Sequence, residues 1–150
     1  MLKLIRTDSN NADFQGLVAL LDQYLRQLDG EDHAFYAQFN QIDALNHVVV
    51  AIVNEQAIAC GAFKPFDDNS VEIKRMFTHP EFRGQRIAKQ VLTELEAWAS
   101  ELNVTNCVLE TGRRMPDAVH LYQRCGYEII PNFGQYEGDE NSVCMKKAIG

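Results

Sequence analysis

The sequence predicts a mixed α/β (α+β) fold, in which one central, mostly antiparallel sheet of about seven strands is flanked by helices on both faces. The first observation behind this prediction is the hydrophobic period, which switches between strand and helix spacing in the order β-α-α-β-β-β-α-β-α-β-β. The second is size, because 150 residues, 46% hydrophobic and 23% charged, suit one compact domain with a core. We therefore expect a single domain over residues 1–150.

The first third of the chain begins with a strand and continues with helices. Residues 1–6 are a short, alternating run followed at once by polar residues, which favours a first strand over a signal peptide. Between Asp13 and Leu28, apolar side chains recur every three or four residues, as in an amphipathic helix, and Gly30 ends it. A shorter helical piece is expected at 33–40.

The middle of the chain changes to the strand period. Apolar and β-branched runs, separated by turns at 54–55 and 67–70, predict three strands of one sheet, at 47–53, 57–63 and 71–78. Pro80 ends the third strand because proline has no backbone N–H for the ladder. A long amphipathic helix is expected from Ile87, and a strand follows it at 104–110.

The last third of the chain holds one more helix and two strands. Pro116 begins the helix and Gly126 ends it, since proline suits a first helical turn and glycine a helix end. Short apolar runs predict the strands at 127–130 and 142–146, which a loop containing Pro131, Gly134 and Gly138 joins.

The charge of the chain is uneven along its length. Its formal charge of −7 argues against a nucleic-acid partner, because phosphate backbones require a basic surface. Residues 74–124, however, carry eight basic and six acidic side chains, against six basic and fifteen acidic in the remainder. No apolar run approaches the ~20 residues that cross a bilayer, so no membrane partner is expected either.

Four cysteines are scattered through apolar segments: Cys60, Cys107, Cys125 and Cys144. They form no C-x-x-C pair, and no histidine lies near them at metal-ligand spacing. We interpret them as reduced core thiols rather than as metal ligands or disulfides, which predicts a cytoplasmic protein without a metal.

The segment 71–89 combines a strand, a basic turn and the start of a helix. Backbone N–H groups at a helix N-terminus carry partial positive charge, and Gly84 would let the backbone approach a phosphate closely. Arg83, Arg86 and Lys89 add formal positive charge. The residues alone leave two interpretations open, a phosphate-binding turn and a merely solvated helix start.

Two motifs resemble those of the GNAT N-acetyltransferase superfamily. Residues 77–88, FTHPEFRGQRIA, resemble its acetyl-CoA motif Q/R-x-x-G-x-G/A, with Arg83 first and Ala88 last. Arg86 stands where the family usually has glycine, which either widens the loop or brings the side chain over a CoA phosphate. Residues 118–127 resemble the family signature A-x-x-L-Y-x-x-x-G-F, and the order of elements also agrees. The resemblance implies the GNAT acyl-CoA N-acyltransferase fold.

The resemblance also implies a binding site for acetyl-CoA, as co-substrate and without a metal. Its pantetheine arm would lie between residues 71–78 and 104–110 and add main-chain hydrogen bonds like a short strand. Backbone groups of Met76, Phe77 and Thr78 would hold that arm and polarise the thioester carbonyl. The pyrophosphate would be held by the backbone of Arg83, Gly84, Gln85, Arg86, Ile87 and Ala88, and the outer phosphates by Lys89 or Arg124.

The implied reaction is direct attack of an acceptor amine on the thioester in a ternary complex, which needs a base for the amine and an acid for the leaving thiolate. Tyr122 matches the family tyrosine near the CoA sulfur and is the candidate acid; the alternative is a core aromatic residue. Glu72 is the candidate base, acting directly or through water; the alternative is an exposed carboxylate paired with Lys74.

The acceptor is expected to be a small-molecule amine bound by residues 31–33 and 132–137. Acidic side chains there would suit a cationic amine, whereas Arg75 could instead pair with a substrate carboxylate, and His33 and His79 are interpreted as structural. Two alternatives remain, a non-catalytic acyl-CoA sensor, which Arg86 favours, and acetylation of a protein N-terminus or lysine. A homodimer is common in the superfamily, although no interface signature is visible.

Overall fold

The computed structural model describes residues 1–29 and 44–150. Its strands are β1 (Leu2–Thr7), β2 (His47–Val53), β3 (Gln56–Asp67), β4 (Ser70–Thr78), β5 (Asn106–Gly112), β6 (Glu128–Ile130) and β7 (Ser142–Ala148). Its α-helices over these residues are α1 (Ala12–Asp29), α2 (Ile87–Glu101) and α3 (Pro116–Arg124), and short 3₁₀ helices span Pro80–Phe82 and Gly134–Tyr136. The seven strands form one sheet in the order β1-β2-β3-β4-β5-β7-β6.

The predicted mixed α/β class with a seven-stranded sheet is confirmed, and every strand predicted from the sequence is present. The boundaries differ by a few residues. β3 runs to Asp67 rather than to 63, and β5 begins at Asn106 rather than at 104. The helical piece predicted at 33–40 lies outside the described residues.

The chain forms two compact units, which cut across some of its elements. Unit 1 comprises Met1–Lys64 and Lys74–Leu95, and unit 2 comprises Pro65–Ile73 and Glu96–Gly150. β3, β4 and α2 each contribute residues to both units. The single domain over residues 1–150 stays a prediction.

In unit 1, β1, β2 and β3 are antiparallel neighbours, and α1 packs on a face of β2 and β3. The helix begins after Asn11, whose side-chain oxygen accepts a hydrogen bond from the Phe14 N–H at 2.9 Å. The apolar residues spaced by three and four along α1 form a buried cluster with strand residues: Phe14, Leu17, Val18 and Leu21 with Val48, Val50, Cys60, Ala62 and Phe77. Burial of this stripe is what makes the segment a helix.

In unit 2, β5 lies between two partners. It pairs in parallel with β4, joining Ser70–Glu72 to Asn106–Val108, and antiparallel with β7 along its whole length. β6 pairs with the other edge of β7. α3 ends at Arg124, and Gly126, two residues later, has a φ of +99° that suits glycine. The Tyr127 N–H then donates to the Tyr122 carbonyl at 2.9 Å.

Three of the four cysteines, Cys60, Cys107 and Cys144, are buried, and Cys125 is half-buried at the end of α3. None of them forms a disulfide in the part of the chain that the structure describes. Burial raises the pKa of Cys60 to about 12, so this thiol stays protonated at neutral pH. The core-thiol interpretation thus agrees with the structure at three positions. No helix within residues 1–29 and 44–150 is long and apolar enough to span a membrane.

Candidate functional site

The turn between β4 and α2, in unit 1, is the candidate cofactor site, and it is built from local hydrogen bonds. The His79 N–H donates to the Ile58 carbonyl of β3 at 2.7 Å, which ties the end of β4 to its neighbour. The His79 Nδ1 accepts from the Glu81 N–H at 3.2 Å and so caps the 3₁₀ helix that Pro80 begins. His79 is therefore structural, as the sequence predicted.

Two residues of the turn, Gly84 and Arg86, have left-handed backbone conformations, with φ of +80° and +63°. At Gly84 a side chain would meet no neighbouring atom within 4 Å, so space there is open. Arg86 adopts the conformation that a glycine favours, at a cost of roughly 1 kcal/mol for an L-residue. The turn therefore accommodates arginine at this position in a backbone conformation that glycine favours.

The start of α2 presents backbone N–H groups to the turn. The first N–H groups of any helix lack intrahelical acceptors and carry partial positive charge. Ile87 is buried and anchors the helix start, whereas Gln85 and Lys89 are exposed and Ala88 is half-buried. The turn can thus supply N–H donors and positive side chains to an anion.

The side chain of Arg83 folds back onto unit 1. Its Nε donates to the Thr78 carbonyl at 3.2 Å, and its guanidinium carbon lies 5.3 Å from the centroid of the Tyr24 ring on α1. This is the geometry of a cation–π contact. The charge of Arg83 is consequently held close to the end of β4.

The last residues of β4 direct their side chains into unit 1. Phe77 joins the core cluster under α1, and Met76 lies over Gly61 of β3, where an added Cβ would collide with the Met76 sulfur. Because the side chains of Met76 and Phe77 take part in packing, these two residues can offer a ligand only their backbone groups for polar contacts. Both segments proposed to bind the cofactor, residues 76–78 and 83–89, lie in unit 1. A single cofactor site needs both segments.

Glu72, the candidate base, lies in unit 2 on β4 and is 4% exposed. Its burial contradicts the alternative of an exposed strand carboxylate. The charge of Glu72 also contributes, after burial and Glu110, to the raised pKa of the Tyr136 hydroxyl. Glu72 therefore lies close to other polar groups of unit 2.

Tyr122, the candidate acid, lies on α3 in unit 2 and is 8% exposed. Burial, followed by the charges of Cys125 and Glu110, raises the pKa of Tyr122 above its ordinary value. The phenol is accordingly protonated at neutral pH and can donate a hydrogen bond. Its ring also meets that of Tyr127 edge to face, with centroids 5.9 Å apart.

Glu110 lies near the candidate site residues of unit 2, although the sequence did not predict it as a site residue. Its carboxylate accepts a hydrogen bond from Ser142 Oγ at 2.8 Å. It also contributes, after burial, to the raised pKa of both Tyr122 and Tyr136. The available signal was a lone acidic residue closing the apolar run of β5, but only the pairing of β5 with β7 places it beside Ser142.

The loop before β7 is one of the two expected acceptor segments, and Asn132 fixes it. The Asn132 Nδ2 donates to the carbonyls of Tyr136 at 3.1 Å and of Asp139 at 2.9 Å. Phe133 packs edge to face on both Phe66 and Tyr136. The other expected segment, residues 31–33 with His33, lies outside the described residues.

Arg75 does not present an open guanidinium to a substrate carboxylate. Its Nη1 donates to Asp22 Oδ1 on α1 at 2.8 Å, and its side chain is 4% exposed. The Arg75 guanidinium therefore already binds a carboxylate of the chain itself, that of Asp22. Across residues 1–29 and 44–150, no group of three or more His, Cys, Asp or Glu side chains could hold a metal ion.

The sequence is similar to those of known acetyltransferases. The sequence model of the acetyltransferase (GNAT) family matches residues 14–127. An IAA acetyltransferase from Azospirillum brasilense is 28% identical over 141 residues, 89% of this chain and 88% of that protein. The uncharacterized N-acetyltransferase YsnE from Bacillus subtilis is 33% identical over 63% of this chain and 64% of its own.

Solved structures of similar proteins share this fold. A candidate acyl-CoA N-acyltransferase from Klebsiella pneumoniae superposes with a TM-score of 0.84 at 28% identity, covering 100% of this chain and 99% of that one. A GNAT acetyltransferase from Elizabethkingia anophelis with acetyl-CoA bound gives 0.69 at 18% identity, over 98% and 97% of the two chains. Because the family model also covers most of the sequence, the chain belongs to the acetyltransferase (GNAT) family and is an acetyltransferase of that type.

Proposed function

We propose that the chain is an N-acetyltransferase that moves the acetyl group of acetyl-CoA to the amine of a small molecule, by direct attack in a ternary complex. The observation that carries this proposal is the turn from β4 to α2. There Gly84 and Arg86 take left-handed conformations just before a helix N-terminus, in a chain of the GNAT family. Such a turn suits a pyrophosphate.

Acetyl-CoA would be held mainly by the backbone of unit 1. N–H groups of Arg83 to Ala88 would bind the pyrophosphate, and Lys89, exposed on the first turn of α2, would reach an outer phosphate. Backbone groups of Met76, Phe77 and Thr78 would bind the pantetheine arm and polarise the thioester carbonyl. The acetyl-CoA bound by the E. anophelis relative supports this choice of co-substrate.

Proton transfer is proposed for Glu72 and Tyr122. An amine is mostly protonated near pH 7, so Glu72 would first take a proton from the amine, directly or through water. The neutral amine would then attack the thioester. The attack forms the C–N bond, and the C–S bond then breaks while Tyr122 donates a proton to the leaving CoA thiolate. The second proton of the nitrogen, lost as the amide forms, would return to the Tyr122 phenolate. Because the pKa of Tyr122 is raised, we expect it to stabilise the thiolate first by a hydrogen bond and only then by full proton transfer.

The proposed acceptor is a small molecule because the loop before β7, which two hydrogen bonds of Asn132 fix internally, would close one side of the acceptor site. A protein substrate would need an open groove. The alternative of a non-catalytic acyl-CoA sensor depended on Arg86, and that observation no longer favours it, since Arg86 keeps the backbone conformation of glycine. The cytoplasmic location and a homodimer stay predictions.

The test is a screen for thiol released from acetyl-CoA, with small amines, amino acids and peptides as acceptors. We expect release with a small amine and a product that is heavier by one acetyl group. Release with peptides alone would favour the protein-directed alternative. If acetyl-CoA bound but no acceptor gave release, the sensor would replace the enzyme.

A further inference from the structure

Arg75 has a left-handed backbone, with φ of +59°, in the middle of β4. An arginine pays free energy for this conformation, and such residues persist only where the surroundings determine them. The residue directly precedes Met76, the first of the three residues proposed to hold the pantetheine arm and polarise the thioester. The conformation of Arg75 must therefore be held by contacts with its surroundings.

The Arg75 side chain is anchored to α1. Its guanidinium donates to Asp22 at 2.8 Å and is withdrawn from water, whereas the Asp22 side chain is 44% exposed. A buried guanidinium needs an opposite charge, and leaving it unpaired would be strongly unfavourable. The Arg75 carbonyl is held as well, because Cys60 Sγ on β3 donates to it at 3.4 Å. Both the side chain and the backbone of Arg75 are thus fixed within unit 1.

The other end of the same stretch is also tied to α1. The Arg83 Nε donates to the Thr78 carbonyl, and the Arg83 guanidinium lies over the ring of Tyr24, two residues after Asp22. Met76, Phe77 and Thr78 are therefore bracketed by two arginines that contact one short part of α1. Between these anchors, Phe77 packs under α1 and Met76 packs over Gly61.

We propose that Arg75 is a positioning residue for the acetyl transfer. Its ion pair with Asp22 holds the left-handed turn in β4, and this turn sets the direction of the backbone groups of Met76–Thr78 toward the acetyl thioester. The Arg83–Tyr24 contact holds the far end of the stretch. The proposal rests on the proposed function, and it assigns α1 a role in orienting the donor.

The test compares Asp22→Asn with wild type in the thiol-release assay, at a temperature well below the Tm of both. A misdirected oxyanion donor affects the transition state most, while the proposed pyrophosphate contacts of residues 83–88 remain. The values of kcat and kcat/KM for acetyl-CoA should therefore fall together by about tenfold. The Kd of acetyl-CoA, measured by calorimetry, should change by less than about threefold. Asp22→Glu keeps the charge and should recover part of kcat.

The matched control is Glu94→Gln, which breaks the Arg6–Glu94 ion pair of 2.7 Å between β1 and α2 in the same unit. This variant should lower Tm and leave kcat unchanged. If Asp22→Asn behaves like this control, with a lower Tm and wild-type kinetics, Arg75 is only structural and the inference is wrong.

Arg75→Gly keeps the test decisive if Asp22→Asn does not fold, because glycine adopts a positive φ without strain but removes the ion pair. A lower kcat in this variant supports the inference, and an unchanged kcat overturns it. If wild type neither binds acetyl-CoA nor releases thiol, the proposed function fails and the inference fails with it. An active wild type with unaffected variants overturns the inference alone.

Discussion

At the scale of single residues, the positive φ of Gly84 and Arg86 and the ion pair of Arg75 with Asp22 decide what unit 1 can offer a ligand. Gly84 and Arg86 could be placed in a turn because their motif is local, and the structure gives both the positive φ that such a turn needs. The partner of Arg75 could not be foreseen, since Asp22 is 53 positions away along the chain. A side chain that looks available to a substrate in sequence can already be bound by the protein itself.

Tyr122→Phe is the residue-scale prediction. Removing the hydroxyl leaves the CoA thiolate without its proposed donor, so turnover in the thiol-release assay should fall by roughly tenfold to a hundredfold. The Kd of acetyl-CoA should stay within a factor of about two, because the phenol would act on the leaving group. Tyr127→Phe is the matched control, since the Tyr127 hydroxyl instead donates to Glu96 at 2.8 Å.

Equal turnover in Tyr122→Phe and wild type would remove Tyr122 from the reaction. In that case its burial on α3 would be that of a core aromatic residue, which is the alternative left open by the sequence.

At the scale of elements, strands and helices follow from the sequence, whereas their order in the sheet does not. Hydrophobic period and turn residues predicted each of the seven strands, because these signals act over a few residues. The placement of β7 between β5 and β6 depends on pairing between distant segments. The proximity of Glu110 to Ser142 is a consequence of that pairing and could not be predicted without it.

Gly61→Ala is the element-scale prediction. A Cβ at this position of β3 would collide with the Met76 sulfur and lie 2.9 Å from Leu95 Cδ1 and 3.1 Å from Val91 Cγ1. We expect a loss of about 1–3 kcal/mol in the free energy of unfolding, measured by urea denaturation.

Gly16→Ala is the matched control for Gly61→Ala. Gly16 lies in α1 with no atom within 4 Å of an added Cβ, and alanine is the better helix former by about 1 kcal/mol. This variant should be at least as stable as wild type. If Gly61→Ala were equally stable, the close packing of β3 against Met76 would be wrong.

At the scale of the whole molecule, the titrating groups of the core make the fold sensitive to alkaline pH. Burial raises the pKa of Cys60 to about 12 and, with the charge of Glu96, that of Cys107 to about 11. Burial also raises the pKa of Tyr122, Tyr127 and Tyr136. The folded state holds these protons more tightly than the unfolded state. These groups therefore contribute fully to the free energy of unfolding below about pH 8.5, and this contribution is lost as the pH rises through their pKa values in the folded state.

The predicted result is a Tm that falls steadily between pH 9 and pH 11. Cys60→Ala removes one of these groups, so its Tm should fall less steeply over the same range, whatever its Tm at neutral pH. Identical slopes for the variant and wild type would show that Cys60 does not titrate differently in the folded state.

The formal charge of −7 bears on which phosphate-containing partners the whole molecule can bind. It argues against binding a nucleic-acid polymer, but it does not argue against a small nucleotide held mainly by backbone N–H groups. The basic residues of the middle of the chain include Arg83, Arg86 and Lys89, all at the turn proposed to bind acetyl-CoA.

The measurement that tests the central claim most directly is thermal unfolding of the full chain with and without acetyl-CoA. A ligand that binds only the folded state stabilises it by about 2.7 kcal/mol at a hundred times its Kd. We predict that Tm rises with acetyl-CoA concentration. The rise should be smaller in Gly84→Asp, which places a negative charge in the turn and strains its backbone at φ of +80°, although an added Cβ meets no atom within 4 Å. An unchanged Tm at millimolar acetyl-CoA would contradict the assignment of residues 76–89 as its binding site.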